Sequence, residues 1–156
     1  MTGLWVAVVA IVVALVIGGF RALTDGRFRG THAVSGLGAP STDDVPPATE
    51  TTWAQLGDAT GVAGLGERAT LVQFSSAFCA PCRVTRRVLS EVADVVPGVV
   101  HVEIDAEHHL DAVRRLGILR TPTTLVLDPS GHEVVRAAGA PRKEQVLAAI
   151  PAADLA

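Results

Sequence analysis

The chain has 156 residues, of which 49% are hydrophobic, 19% charged and 4% aromatic, with a net charge of −3 and a mean hydropathy of +0.39. Globular domains carry about 25% charged residues, so a shortage of charge lifts the hydropathy, and a disordered chain is excluded. Two cysteines are too few for a disulfide-rich mini-protein, and a negative net charge leaves no surplus cation to neutralise phosphates, so nucleic acid is not expected as a partner.

No residue from Met1 to Phe20 is charged, and residues 4–20 read LWVAVVAIVVALVIGGF. As a helix this run rises about 26–30 Å, close to the hydrocarbon thickness of a bilayer. Trp5 and Phe20 stand near its two ends, where interfacial aromatics sit. A buried core helix would show a polar stripe, and a cleaved signal peptide would open with basic residues and close on a small-residue site. Neither pattern is present, so residues 1–22 are expected to be a single-pass transmembrane anchor in a cell membrane, touching lipid through residues 4–20. Arg21, Arg27 and Arg29 follow the run, opposed by Asp25 alone. The positive-inside rule then puts the C-terminal side in the cytoplasm, with the extracytoplasmic side as the alternative.

Residues 23–50 are rich in Gly, Pro, Ser and Thr. Such a stretch buries too little surface to offset its ordering entropy and is expected to be a flexible linker. From Thr51 to Ala156 the pattern is that of one domain, with no internal repeat.

Within it, Thr51–Leu56, with Trp53, reads as a helix or a strand. Ala69–Ser75 is a short β-branched apolar run, the pattern of a buried strand. Val84, Val88, Leu89, Val92, Val95 and Val96 then recur at helical spacing until Pro97-Gly98 ends the segment. Val99–Asp105 alternates as a strand. Residues 107–116 read as a helix burying Leu110, Val113 and Leu116, closed by Gly117. Thr123–Leu127 and residues 132–137 form a hairpin about the turn Asp128-Pro129-Ser130-Gly131. Pro141 opens a last helix at its first position, with Val146, Leu147 and Ile150 inward. The order β–α–β–α–β–β–α predicts an α/β fold, a central mixed sheet with helices on both faces.

The cysteines, Cys79 and Cys82, lie in Phe78-Cys79-Ala80-Pro81-Cys82. Zinc would need two further ligands, and His101, His108, His109 and His132 are not at ligand spacing from the pair, so no metal is expected. A structural disulfide closing so short a loop removes little chain entropy. Redox chemistry fits the context better. A strand ends, Cys79 sits at the mouth of a helix, and the helix N-terminus favours its thiolate. Arg83 adds positive potential, and Pro81 stiffens the turn. Cys79 would attack a substrate disulfide and Cys82 would resolve the mixed disulfide, with no cofactor beyond the cysteine pair itself.

These features together resemble the thioredoxin superfamily. The likeness rests on the strand–CxPC–helix unit, Ile104-Asp105, Gly117-Ile118-Leu119-Arg120-Thr121-Pro122, the Ser130-Gly131 turn and Gly139, which span nearly all of the last 90 or so residues. It implies the thioredoxin fold, with Pro122 cis beside the cysteines and the backbone of Thr121 pairing with bound substrate. Ala80 departs from the usual glycine, Phe78 and Ser75 stand where tryptophans are common, and Gln73 replaces a buried aspartate that assists the second cysteine. The resemblance implies a membrane-tethered protein-disulfide oxidoreductase, in the reductase direction, with protein thiols and disulfides as substrates and a separate reducing partner. The alternative is a non-catalytic binding or adaptor module that keeps the shape.

Overall fold

The computed structural model describes residues 2–24, 26–30, 50–61 and 64–152. A five-stranded mixed sheet in the order β1-β5-β4-β2-β3 forms its centre. The strands are β1 (Phe28–Gly30), β2 (Ala69–Ser75), β3 (Val99–Asp105), β4 (Thr123–Leu127) and β5 (Glu133–Ala138). β2 runs parallel to β3 and antiparallel to β4, and β4 and β5 form the hairpin. β2 is buried along its whole length, which is why a mainly apolar run, interrupted only by Thr70, Gln73 and Ser75, makes the central strand.

Successive side chains alternate between the sheet faces and feed two cores. Val72, Phe74, Ile104, Leu125 and Leu127 face one way. They meet α2 (Thr52–Leu56) and α4 (Leu110–Arg115). Leu71, Val99 and Val126 face the other way, with Leu89 and Val92 of α3 (Ala80–Val95) and Val146 of α5 (Lys143–Ala149).

The segment 51–56 is helical because the Thr51 hydroxyl accepts the Ala54 N–H and caps it. The apolar face of α3 is narrower than its valines suggest. Val84 and Val95 are exposed, and Thr85 turns inward beside Leu89 and Val92. α4 is likewise shorter than expected, with Ala112 and Leu116 buried and Leu110 half exposed. Pro141 lies two residues before α5, whose cap is Arg142, and Leu147 faces outward.

Two expectations need correction. The first concerns the N-terminal segment, which forms α1 (Thr2–Thr24). Among the described residues no helix is long and apolar enough to cross a membrane. The apolar run 4–20 ends at Arg21 and rises about 26 Å, at the short end of what a hydrocarbon core of about 30 Å requires. The single-pass anchor, its lipid contact and the orientation drawn from Arg21, Arg27 and Arg29 therefore fall. The second concerns the linker. Phe28–Gly30, inside the stretch assigned to flexible chain, is an edge strand paired with β5. Of the rest of that stretch, residues 25 and 31–49 lie outside the described residues.

Candidate active site

β2 delivers the chain to the N-terminus of α3, and the two cysteines occupy that junction. Cys79 is the N-cap, in extended conformation, and its sulfur accepts the Cys82 N–H at 3.1 Å. Ala80 and Pro81 form the first two helical positions, where a proline removes only an N–H that has no partner in the helix. Cys79 and Cys82 are joined as a disulfide with their Cα atoms 5.2 Å apart. The two sulfurs are not equivalent. Cys79 is partly open to solvent, whereas Cys82 is buried at 1% exposure.

The Thr121–Pro122 peptide is cis and leads into β4. The Ser76 and Thr121 hydroxyls lie 3.2 Å apart, which ties the loop before Cys79 to the proline loop. The Gly139 N–H donates to the Pro122 carbonyl at 2.8 Å, and the Thr123 hydroxyl donates to the Arg120 carbonyl at 2.7 Å. Pro122 itself is buried. Phe78 and Leu119 stand out from this region at 98% and 96% exposure, an apolar pair presented to solvent by the two loops.

Beneath the cysteines the face of the sheet turns polar. Gln73 follows Leu71 on the α3 face, fully buried, and its Nε2 donates to the Cys82 carbonyl at 2.9 Å. Thr124 is its cross-strand neighbour on β4, and Thr85 lies one turn beyond Cys82 on α3. Gln73 Oε1 and the hydroxyls of Thr85 and Thr124 are buried without a protein partner.

A groove opens beside Cys79, bordered by Ser75, Ser76, Arg83, Arg86, Glu103 and Asp105. Arg86 and Glu103 form an ion pair across it. Burial pushes the Glu103 carboxyl up, but hydrogen bonds from Arg86 and Ser75 and the Arg86 charge outweigh it and hold it below its ordinary value. Asp105 is held low chiefly by the Glu107 N–H and then by His108. His101, on β3 behind the groove, meets the Ser90 hydroxyl through Nδ1, and burial lowers its pKa.

The residues singled out in the sequence thus divide into those at the cysteine junction (Phe78, Cys79, Ala80, Pro81, Cys82, Arg83), those on the facing loop (Thr121, Pro122) and Gln73 beneath. Sequence reasoning missed Ser76, Thr85 and Thr124. A lone hydroxyl residue carries no periodic signal, and only the packing shows that it faces the site. Among the described residues no group of three or more His, Cys, Asp or Glu could hold a metal ion.

Residues 60–152 match the family model described as thioredoxin. A thioredoxin of Alicyclobacillus acidocaldarius is 33% identical over 82 residues, which cover 52% of this chain and 77% of that one. A thioredoxin H-type of Fagopyrum esculentum is 31% identical over 77 residues, 49% of this chain and 65% of that protein, just short of two thirds of its length. Among solved structures, chloroplastic thioredoxin z superposes with a TM-score of 0.50 at 25% identity, covering 60% of this chain and 82% of its own.

Proposed function

Since the chain belongs to the thioredoxin family, we propose that it is a thiol–disulfide oxidoreductase that reduces protein disulfides through Cys79 and Cys82. The observation that carries this reading is the asymmetry of the pair: one sulfur caps a 16-residue helix and meets solvent, and the other is buried behind it.

In the dithiol form, the amide at the helix start and the macrodipole stabilise negative charge on Cys79, so its thiolate is the nucleophile. It attacks a substrate disulfide R–S–S–R′, forming Cys79–S–S–R and releasing R′–S⁻. Cys82 then gives up its proton to a released thiolate, attacks the Cys79 sulfur and expels R–S⁻. The substrate gains two electrons, and the protein ends as the Cys79–Cys82 disulfide. A dithiol donor, the proposed reducing partner, returns the pair to its reduced form. Thr121 offers its backbone to the substrate chain next to the attacked sulfur, and Pro122 fixes that backbone against the cysteines. Phe78 and Leu119 supply apolar contact on either side. Arg83 adds positive potential at the groove.

Reduction of insulin disulfides by the full chain, driven by a dithiol, tests the reading. Turnover well above the rate with the dithiol alone is expected, and a rate equal to it would overturn the proposal. The adaptor reading is favoured by the amide at position 73, which cannot take a proton from Cys82. It requires instead that a Cys79→Ser, Cys82→Ser double variant retain the same partners.

A further inference from the structure

The chain ahead of the family-matched region does more than lead into it. Gly26 is buried, with φ of +73°, and its N–H donates to the Ala138 carbonyl at 2.9 Å. A Cβ on Gly26 would stand 2.2 Å from the Ala140 carbonyl oxygen and 2.9 Å from the Pro141 nitrogen, both backbone atoms. No side chain fits there without moving one of the two segments. Directly after it, β1 pairs antiparallel with β5, Phe28 opposite Ala137 and Gly30 opposite Val135. Phe28, partly buried, packs against the core cluster that holds Leu89, Val92 and Val146. Residues 26–30 are therefore seated by a close backbone approach, a strand ladder and a partly buried aromatic at once.

Their seat is the segment that supports the substrate loop. The Ala138 carbonyl that accepts the Gly26 N–H also accepts Nη2 of Arg120, at 2.7 Å, one residue before Thr121. The next residue, Gly139, donates its N–H to the Pro122 carbonyl. Ala138 is itself opposite Thr123 in the β4–β5 ladder. One short stretch, 138–141, is thus held from outside by Gly26 and in turn holds Arg120 and Pro122 on its inner side.

We propose that residues 26–30 are a strap that positions the Thr121–Pro122 loop for substrate backbone, with Gly26 as its fixed point. This rests on the loop being the substrate-pairing element of the proposed function. The strap touches neither cysteine, so its effect falls on how a peptide is held and not on the redox couple. A strap that only covered the edge of β5 would affect stability alone.

The test uses the full chain carrying Gly26→Ala, with Phe28→Ser as a second variant that loosens the strap without backbone strain. Three quantities are read: KM and kcat for dithiol-driven reduction of insulin, the rate with bis(2-hydroxyethyl) disulfide, which has no peptide backbone, and the equilibrium of the Cys79–Cys82 pair with glutathione. Loss of one positioning hydrogen bond corresponds to about a 2- to 10-fold change. KM for insulin is expected to rise by that factor in a variant that folds, with the small-disulfide rate and the glutathione equilibrium within twofold of the parent. An unchanged insulin KM in both variants overturns the strap, as does an equal loss on insulin and on the small disulfide. If the parent chain itself reduces neither substrate, the proposed function fails, and the strap fails with it for lack of a loop to serve.

Discussion

Gln73 donates from Nε2 to the Cys82 carbonyl oxygen across 2.9 Å, from a position with no solvent exposure. Its Oε1 is buried and has no protein partner, in the polar layer behind Cys82. An amide can hold a hydrogen bond there but cannot take up a proton. Replacing Gln73 with Asp puts a titrating acceptor in the same layer. Burial raises the pKa of a carboxyl, so Gln73→Asp should destabilise the fold as pH rises above about 4, by about 1–3 kcal/mol at neutral pH. The rate of mixed-disulfide resolution should acquire a pH dependence that the parent lacks between pH 5 and 8. Rapid-mixing measurements of that step across the range check it. A profile identical to the parent's would show that position 73 does not act on Cys82.

The difference in exposure between the cysteines predicts a difference between their variants. Cys82→Ser leaves the open nucleophile without its resolver, so mixed disulfides through Cys79 should accumulate with a protein substrate and appear on non-reducing gels as dithiol-sensitive adducts. Cys79→Ser removes the accessible sulfur, and few or no adducts should form, because Cys82 is at 1% exposure. Dithiol-driven turnover in either variant should fall at least 100-fold, since neither can complete the exchange. Equal adduct formation by the two variants would contradict the assignment of roles.

Acid should weaken the fold in two separate windows. His101 has a folded pKa below its ordinary 6.5 because burial disfavours its charged form. Between that lowered value and 6.5 the unfolded chain binds more protons, so stability is complete above 6.5 and declines as pH falls below it. Glu103 is held below its ordinary 4.5 after its bonds to Arg86 and Ser75 outweigh burial. Its contribution is present above 4.5 and is lost as pH falls through the lower, folded value. Denaturation midpoints at pH 7.5, 6 and 4 should therefore drop in both steps. A His101→Gln variant should lose the first step and keep the second. A flat midpoint from pH 7.5 to 5.5 in the parent would contradict the burial of His101.

What the sequence made legible follows from how local each signal is. β2, β3 and β4 have the bounds read from it, because β2 and β4 are short runs rich in apolar and β-branched residues and β3 alternates between Gly98 and its closing Asp105. The cysteine junction was legible for the same reason, as strand, cap and helix lie within a few residues of one another. β1 was not. Phe28-Arg29-Gly30 has no period of its own and becomes a strand only because β5 offers an open edge. Thr85 was misjudged against Val84 because both orientations of α3 keep some valines inward, and the polar layer around Gln73 decides between them. The N-terminal run reads as membrane-spanning from its lack of charge and from a rise near the bilayer thickness, yet among the described residues no helix is both long and apolar enough to cross.

Gly117 and Gly131 both have positive φ, +61° and +85°, yet they should respond differently to alanine. A Cβ on Gly117 meets nothing within 4 Å, so Gly117→Ala should cost only the left-handed backbone, about 1 kcal/mol. A Cβ on Gly131 would lie 2.7 Å from Trp53 Cβ and 3.3 Å from Leu65 Cδ1. That glycine also accepts the Trp53 N–H at 3.0 Å and sits in a turn whose Asp128 side chain accepts the Ser130 and His132 N–H groups. Trp53 cannot retreat without losing this bond and its packing against the core on the α2 face. Gly131→Ala should therefore cost about 2–4 kcal/mol, adding displacement of the tryptophan to the backbone strain. Denaturant titration of the oxidised full chain, followed by tryptophan emission, separates the two variants. Because the hairpin turn lies at the end of β4 away from Pro122, the glutathione equilibrium of Cys79–Cys82 should stay at the parent value in Gly131→Ala. Equal losses in the two variants would mean that Trp53 does not pack on the Gly131 turn.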